Sequence, residues 1–281
     1  MIDFILEPLA YGFVLRGLLA GVLAAVSCAL LSAFVVWRGM AFVGDALAHA
    51  ILPGIVVAYI FGFSFFFGAL GAAAAAVLLI GMISGRRRLK EDTAIGIVFS
   101  GFFALGVLFM SRITTYQDLS HILFGNILGV SSTDLTVMAV VVAITVISLA
   151  FSFKELVVTS FDSAHSMAIG LSPTLLRYFL LFLIAITTVV AIQTVGVILV
   201  LSLLVTPGAA ASMISKRLKT IMIVSTALSL VSTVIGFYVS YYGNVASGPA
   251  IVLTLTLFFV CAFAWSHIIG YLRHASGGRE R

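Results

Sequence analysis

Apolar residues run through this chain in long blocks that are separated by short polar connections. Each block is roughly twenty residues long, which is the length that an α-helix needs to cross the hydrocarbon core of a bilayer. A membrane β-barrel would instead show segments of about ten residues with alternating apolar and polar positions. The pattern therefore predicts an all-α, polytopic integral membrane protein with about eight to nine transmembrane helices. Nine apolar segments can be assigned: 12–36, 40–61, 64–84, 94–111, 134–152, 173–192, 195–214, 220–241 and 248–270.

Composition supports a chain that is embedded in lipid. Of the 281 residues, 62% are hydrophobic and 9% are charged, a balance that soluble domains do not have. The net charge of +5 does not indicate a nucleic-acid partner, because the basic residues lie in short connections between the apolar segments. Cys28 and Cys261 both fall inside apolar segments and indicate neither a disulfide framework nor a zinc motif.

The basic connections predict which side of each segment faces the cytoplasm. Lysine and arginine concentrate in cytoplasmic loops, and here they cluster at 86–90, at Lys154, at 216–219 and in the tail 273–281. Nine spans threaded through these connections place the N-terminus outside and the C-terminus inside. Pro53 is expected to interrupt the second segment, and a broken or re-entrant early segment would reverse the side of the N-terminus.

Asp45 is the one carboxylate that cannot be assigned to a loop, a helix end or a terminus. His49 follows four residues later, so both side chains share one face of a helix. A charge at the centre of a membrane helix costs about 2.5–3.5 kcal/mol on insertion scales, and such groups are usually functional. A carboxylate oxygen with an imidazole nitrogen suits a divalent transition metal. The alternative is a buried pair that only hydrogen-bonds another helix. The neighbouring residues are small: Gly44, Ala46, Ala48 and Ala50.

Two connections carry further signals. His121 opens an amphipathic or re-entrant stretch, 121–129, and is a candidate secondary metal contact, although a lone histidine is more often interfacial. The connection 153–172 contains a short predicted helix that Asp162 would cap and that would end near Gly170. Such a helix suits the docking of a soluble partner, and the alternative is a plain connecting helix.

Motifs for catalysis are missing from the sequence. It contains no Gly-x-x-x-x-Gly-Lys-Ser/Thr phosphate-binding loop, no His-Glu-x-x-His and no Gly-x-Ser-x-Gly. We therefore expect a transport subunit that is not an enzyme, with any ATP hydrolysis carried out by a partner chain.

Five stretches in series resemble the metal-ion permease family of bacterial ATP-binding-cassette (ABC) importers, which carry manganese, iron or zinc. They are 39–54, 91–97, 121–129, 161–170 and 195–207. The form of 121–126 is more similar to manganese or manganese/iron members than to zinc members. The resemblance implies a single transmembrane permease domain over residues 1–281, with the fold of a type II importer, in the bacterial cytoplasmic (inner) membrane.

The resemblance also implies roles for individual residues. Asp45 and His49 occupy the positions of the metal-contacting aspartate and histidine in the family's translocation path. Residues 161–170 match the coupling helix that enters a cleft on the ATPase. Where members often carry an acidic residue after the Phe-Asp pair, this chain has Ser163, Ala164 and His165. The residues implied for ATPase coupling are Phe161, Asp162, His165, Ala168 and Gly170.

The implied assembly contains an ABC ATPase, a metal-binding solute-binding protein and a second permease, which is either another copy of this chain or a paralogue. Its cargo would be manganese, iron or zinc, and no cofactor is expected. The main alternative is a secondary metal transporter driven by protons or sodium. Such proteins need several intramembrane ionisable groups, whereas this chain offers one carboxylate. The chain lacks the motifs of an intramembrane metalloprotease, which is a second alternative. A third is an importer of metal chelates, which would need a wider path.

Overall fold

The computed structural model describes residues 7–8, 10–84, 89–112 and 127–277. Within these ranges the chain is helical apart from its turns, and no strand occurs. In chain order the helices are α1 (Gly12–Trp37), α2 (Val43–Ala50), α3 (Leu52–Phe61), α4 (Phe65–Ser84), α5 (Glu91–Met110), α6 (Ser132–Phe151), α7 (Phe153–Phe161), α8 (Ser163–Ala168), α9 (Pro173–Val195), α10 (Val197–Ile214), α11 (Leu218–Gly243) and α12 (Ser247–Gly277). A 3-10 turn, Ile127–Gly129, precedes α6.

In the described ranges, nine stretches of helix are long and apolar enough to cross a membrane. The predicted all-α membrane fold is confirmed, and the predicted boundaries differ from the helices by a few residues. The largest difference is at α12, which runs on to Gly277 instead of ending near residue 270. No proline follows Pro249, so nothing in the sequence forces the helix to end at the membrane surface.

The second span is broken at the position that Pro53 predicts. Ile51 separates α2 from α3, and Pro53 lies in the first turn of α3. Because proline has no N–H, it cannot donate to the carbonyl of His49, and the backbone ladder is interrupted beside that residue. Ile51 keeps helical angles, φ −75° and ψ −16°, so α2 and α3 together form one span, Val43–Phe61.

The core is organised around α1, which packs against α10, α11, α6 and α9. Where α1 crosses α10, a backbone N–H of α10 is hydrogen-bonded to a serine hydroxyl of α1. Pro207 lies inside α10, and the next backbone N–H, that of Gly208, donates to Ser32 Oγ of α1 at 2.9 Å. A Cβ added to Gly208 would lie 2.6 Å from the carbonyl oxygen of Ser32. The two helices therefore meet at backbone distance, which small residues at membrane helix interfaces permit.

One helix, α7, is missing from the sequence prediction, which treated residues 153–161 as part of a connection. Leu156 is fully buried, and the ring of Phe153 lies edge-on to that of Phe34 in α1, with centroids 6.5 Å apart. The apolar positions have helical spacing, but nine residues are too few for periodicity to distinguish a helix from a loop.

Candidate metal pathway and coupling helix

The helix that carries Asp45 and His49 follows a tight turn at the end of α1. Gly39 has φ +69°, in the left-handed region that glycine adopts without strain. Met40 is fully buried, and its N–H donates to Val35 O at 2.9 Å. After this turn, α2 packs against α5, α9 and α10. A Cβ on Gly44 would lie 2.9 Å from Leu204 Cδ1 of α10, so a larger residue here would push against that leucine side chain.

Asp45 and His49 lie on one face of α2, and His49 Nε2 is 3.5 Å from Asp45 Oδ1. The His49 side chain is 28% exposed and the Asp45 side chain is 44% exposed, although the residues that flank each of them are buried. No side chain caps the first turn of α2. Within the described ranges, the Asp45 carboxylate forms one ion-pair contact, with His49.

Two phenylalanines of α5 define the depth of His49. The imidazole centroid lies 5.5 Å from the ring of Phe99 and 5.2 Å from the ring of Phe103. At 1.5 Å per residue, these phenylalanines lie about 12 and 18 Å along a helix of about 30 Å. His49 is therefore level with the middle of α5, although it lies in the first half of its own span, Val43–Phe61.

The described residues supply only part of a metal coordination shell. Nowhere in those ranges do three or more histidine, cysteine, aspartate or glutamate side chains come together to hold a metal. Asp45 and His49 offer oxygen and nitrogen, whereas transition metals take about four to six ligands. His121, the predicted secondary contact, lies outside the described residues.

The N-terminus of α8 has the predicted cap. Asp162 is extended, with φ −144° and ψ 98°. Its Oδ1 accepts hydrogen bonds from the backbone N–H groups of Ala164 and His165, both at 2.9 Å. A capping carboxylate satisfies N–H groups that have no partner inside the helix. This aspartate is therefore occupied by the backbone of its own helix.

The C-terminus of α8 also agrees with the sequence. Gly170 has φ +84°, and its N–H donates to Met167 O at 3.1 Å. The N–H of Leu171 donates to Ser166 O at 2.9 Å. These two hydrogen bonds form a Schellman motif, in which glycine takes the left-handed position. The chain then leads directly into α9, which begins at Pro173.

Most of the predicted coupling residues lie on the exposed surface of α8 and its flanks. His165, Ala168 and Gly170 are exposed. Phe161 is 58% exposed, yet its ring centroid lies 4.8 Å from that of Trp37 in α1, so one of its faces packs inward. Sequence reasoning missed a pair of exposed apolar residues here, Met167 and Ile169. Their signal was available, because they are the large apolar residues of a short polar stretch.

Sequence reasoning also missed the contact between Arg38 and α7. The guanidinium of Arg38 reaches Ser160 Oγ at 3.0 Å. The two residues are far apart in the chain, and nothing in either local sequence pairs them. Phe99 and Phe103 were missed for the same reason, although their i, i+4 spacing places them on one face of α5.

Comparison with known proteins identifies the family of this chain. The manganese transport system membrane protein MntC of Listeria innocua is 44% identical over 263 residues, which cover 93% of this chain and 94% of that protein. A probable iron transport system membrane protein of Haemophilus influenzae is 42% identical over 268 residues, which cover 95% of this chain and 99% of that protein. Both relatives match along nearly their whole length.

A solved structure agrees with the sequence relatives. PsaBC from Streptococcus pneumoniae, in complex with Fab, contains a chain that is 36% identical and has a TM-score of 0.81, covering 94% of this chain and 95% of that chain. Residues 10–266 match the family model of the ABC 3 transport family. This match gives no support to a secondary transporter. The chain therefore belongs to the ABC 3 transport family and is a multi-pass permease of the bacterial inner membrane.

Proposed function

We propose that this chain is the permease subunit of an importer that moves manganese, and also iron, into the cell, and that Asp45 and His49 contact the ion on its path. The observation that carries the proposal is the pair itself: the two side chains are 3.5 Å apart and partly exposed, and the His49 ring contacts Phe99 and Phe103 near the middle of α5. The names of relatives that transport manganese or iron support this choice of cargo over zinc.

The chemistry of the pair suits such an ion. The negative charge of Asp45 offsets part of the cost of removing water from a divalent cation. The nitrogen of His49 favours transition metals over calcium and magnesium, which prefer oxygen ligands. A purely structural role would place Asp45 at the N-terminus of α2 to complement the helix dipole. That role gives no reason for a histidine one turn later on the same open face.

A second permease would complete the coordination shell. The pair lies on a face of α2 that is open in the single chain, and Phe103 beside His49 is 39% exposed. Two such pairs facing each other across a permease dimer would supply four ligands, with water or backbone carbonyls filling the rest. The second permease is either another copy of this chain or a paralogue.

The transport cycle that we propose uses two further partners. A solute-binding protein delivers the ion to the outer side, and an ABC ATPase docks on α8 and hydrolyses ATP. Met167 and Ile169 give α8 an exposed apolar surface that suits a docking helix. ATP binding would then shift the permease pair between two access states.

The test is uptake of radiolabelled manganese by cells that express Asp45→Asn, His49→Gln or both, at matched membrane levels, with iron and zinc as competitors. Asparagine removes the charge and glutamine removes the imidazole, while both preserve hydrogen bonding. We expect uptake to collapse in the double variant while insertion and assembly persist.

The matched control is Asp134→Asn. This aspartate caps α6 with Ser131, so the substitution removes the same charge elsewhere and should preserve uptake. Wild-type uptake by the Asp45→Asn/His49→Gln variant would refute the proposed ion path.

A further inference from the structure

The guanidinium of Arg38 connects the end of α1 to the end of α7. Its Nε donates to Ser160 Oγ at 3.0 Å, and Nη2 donates to Thr159 Oγ1 at 3.4 Å. Both hydroxyl groups donate their own protons to carbonyls of α7, at Leu156 and Glu155. Their lone pairs are therefore left to accept from Arg38, and the donors and acceptors match on both sides.

Aromatic contacts hold the same two helices together. The ring of Trp37 lies 4.8 Å from that of Phe161, and the ring of Phe34 packs against that of Phe153 at the other end of α7. Side chains from the end of α1 thus contact both ends of α7. Of these contacts, only those of Arg38 are hydrogen bonds of defined direction, so they specify a register that aromatic packing alone leaves loose.

The contact between the end of α1 and α7, which we call the junction, lies between α8, the proposed docking helix, and α2, which carries the proposed ion site. At its C-terminal end, α7 is followed by Asp162, the residue that caps α8. On the other side of the contact, the chain passes from Arg38 through Gly39 and the fully buried Met40 into α2, which carries Asp45. A displacement of α8 can reach α2 through this short, packed path, because close-packed elements shift as units rather than deforming continuously.

Electrostatic interaction also links Arg38 to the helix that contacts His49. Burial lowers the pKa of Arg38, the carboxylate of Glu91 opposes that change, and the positive charge of Arg177 adds to it. Glu91 is the first residue of α5, the helix whose Phe99 and Phe103 contact His49. Arg38 therefore interacts electrostatically with the start of α5, the helix whose phenylalanines contact His49.

We propose that Arg38 is a positioning residue that transmits movement of α8 to α2 and so ties ATP hydrolysis to ion movement. The inference rests on the proposed function, because it needs an ATPase on α8 and an ion at Asp45 and His49. Arg38 itself does not touch the ion. Substitution of Arg38 should leave the docking helix and the ion site intact but allow α8 and α2 to move independently.

The experiment measures manganese transported per ATP hydrolysed, in proteoliposomes that contain the full complex and its solute-binding protein. Arg38→Lys keeps the charge but loses the two-pronged contact, and Thr159→Val/Ser160→Ala removes the acceptors while leaving Arg38 in place. We expect each to lower the ratio about fivefold, the low end of typical coupling between sites. The combined variant should fall no further than either alone, because both remove one contact.

Lys154→Met is the matched control, since it removes a positive charge from an exposed position on α7 and should leave the ratio unchanged. If Arg38→Lys does not assemble, the hydroxyl variant decides alone. An unchanged ratio, or additive losses in the combined variant, overturns the inference while the proposed function stands. Absence of ATP-driven uptake in the wild-type complex instead defeats the proposed function, and the inference with it.

Discussion

Two short helices of this permease, α2 and α8, carry the same pair of residue types in different places. In α8, Asp162 stands before the first turn, and its carboxylate accepts the backbone N–H groups of Ala164 and His165. In α2, Asp45 stands inside the first turn with no capping bond, and it faces the imidazole of His49 at 3.5 Å. One aspartate is occupied by its own helix, whereas the other remains available to a ligand.

The difference shows that the position of a carboxylate relative to the helix start decides its chemistry. An N-cap residue lies where its oxygen meets unsatisfied N–H groups, so its charge is already stabilised. A residue two or three positions later points along the helix surface toward its i+4 neighbour. The carboxylate of Asp162 is thus already paired with backbone N–H groups, whereas that of Asp45 faces only a neighbouring imidazole.

The largest expected effect comes from one substitution made at both aspartates. Asp45→Asn should lower manganese uptake by at least about a hundredfold, because even changes one shell away from a metal cost up to that factor. Asp162→Asn should stay near wild type, because asparagine caps helices as well as aspartate does. Uptake at matched membrane levels measures both. Equal losses at the two positions would show that the comparison between α2 and α8 is wrong.

Substitution of one glycine in each region, Gly170 after α8 and Gly44 in α2, tests the comparison between these helices further. Gly170 ends α8 with φ +84° and has nothing within 4 Å of an added Cβ, so Gly170→Ala should destabilise the α8 end by about 1–2 kcal/mol through backbone strain alone. Gly44 is inside α2, where alanine favours the helix but its Cβ would press on Leu204. We expect Gly170→Ala to weaken co-purification with the ATPase and Gly44→Ala to spare it. The opposite ranking would mean that α8 is not the docking element.

Much of the fold could be predicted from hydrophobic pattern, because span length is set by the bilayer. The break at Pro53 was predictable because proline removes a backbone donor beside His49. In contrast, α7 escaped prediction, since its register depends on the contact of Phe153 with Phe34 in α1. The residues around α7 do not indicate which distant residue Phe153 will contact.

The candidate site was predictable only in part. The i, i+4 spacing of Asp45 and His49 placed them on one face, and the structure agrees. The position of His49 along α5 is known only from its contacts with Phe99 and Phe103. The partner of Arg38 is known only from its hydrogen bond to Ser160 of α7. These features depend on which helices become neighbours, and periodicity along one helix does not determine that.

A smaller effect is expected when the cap of α8 is removed. Asp162→Ala leaves the N–H groups of Ala164 and His165 without their acceptor and should cost about 1 kcal/mol of helix stability. Because α8 has only six residues, it should fray and bind the ATPase several-fold more weakly. Titrating the ATPase against purified permease measures this. Asp162→Asn is the control, and equal affinity for the alanine and asparagine variants would exclude a role for the cap.

The smallest expected effect concerns the aromatic wall beside His49. Phe103→Leu retains an apolar side chain of similar size but removes the edge contact between the two rings, which lie at 72° with centroids 5.2 Å apart. Such contacts are worth about 0.5–1.5 kcal/mol beyond burial, and Phe99 still holds the other side of the imidazole. We therefore expect the manganese concentration for half-maximal uptake to rise about two- to fivefold, while the maximal rate changes little. The matched control is Phe259→Leu in α12, which replaces a stacked phenylalanine outside the proposed path. A loss as large as that of Asp45→Asn would mean that Phe103 holds the fold of the site, and not only the orientation of its histidine.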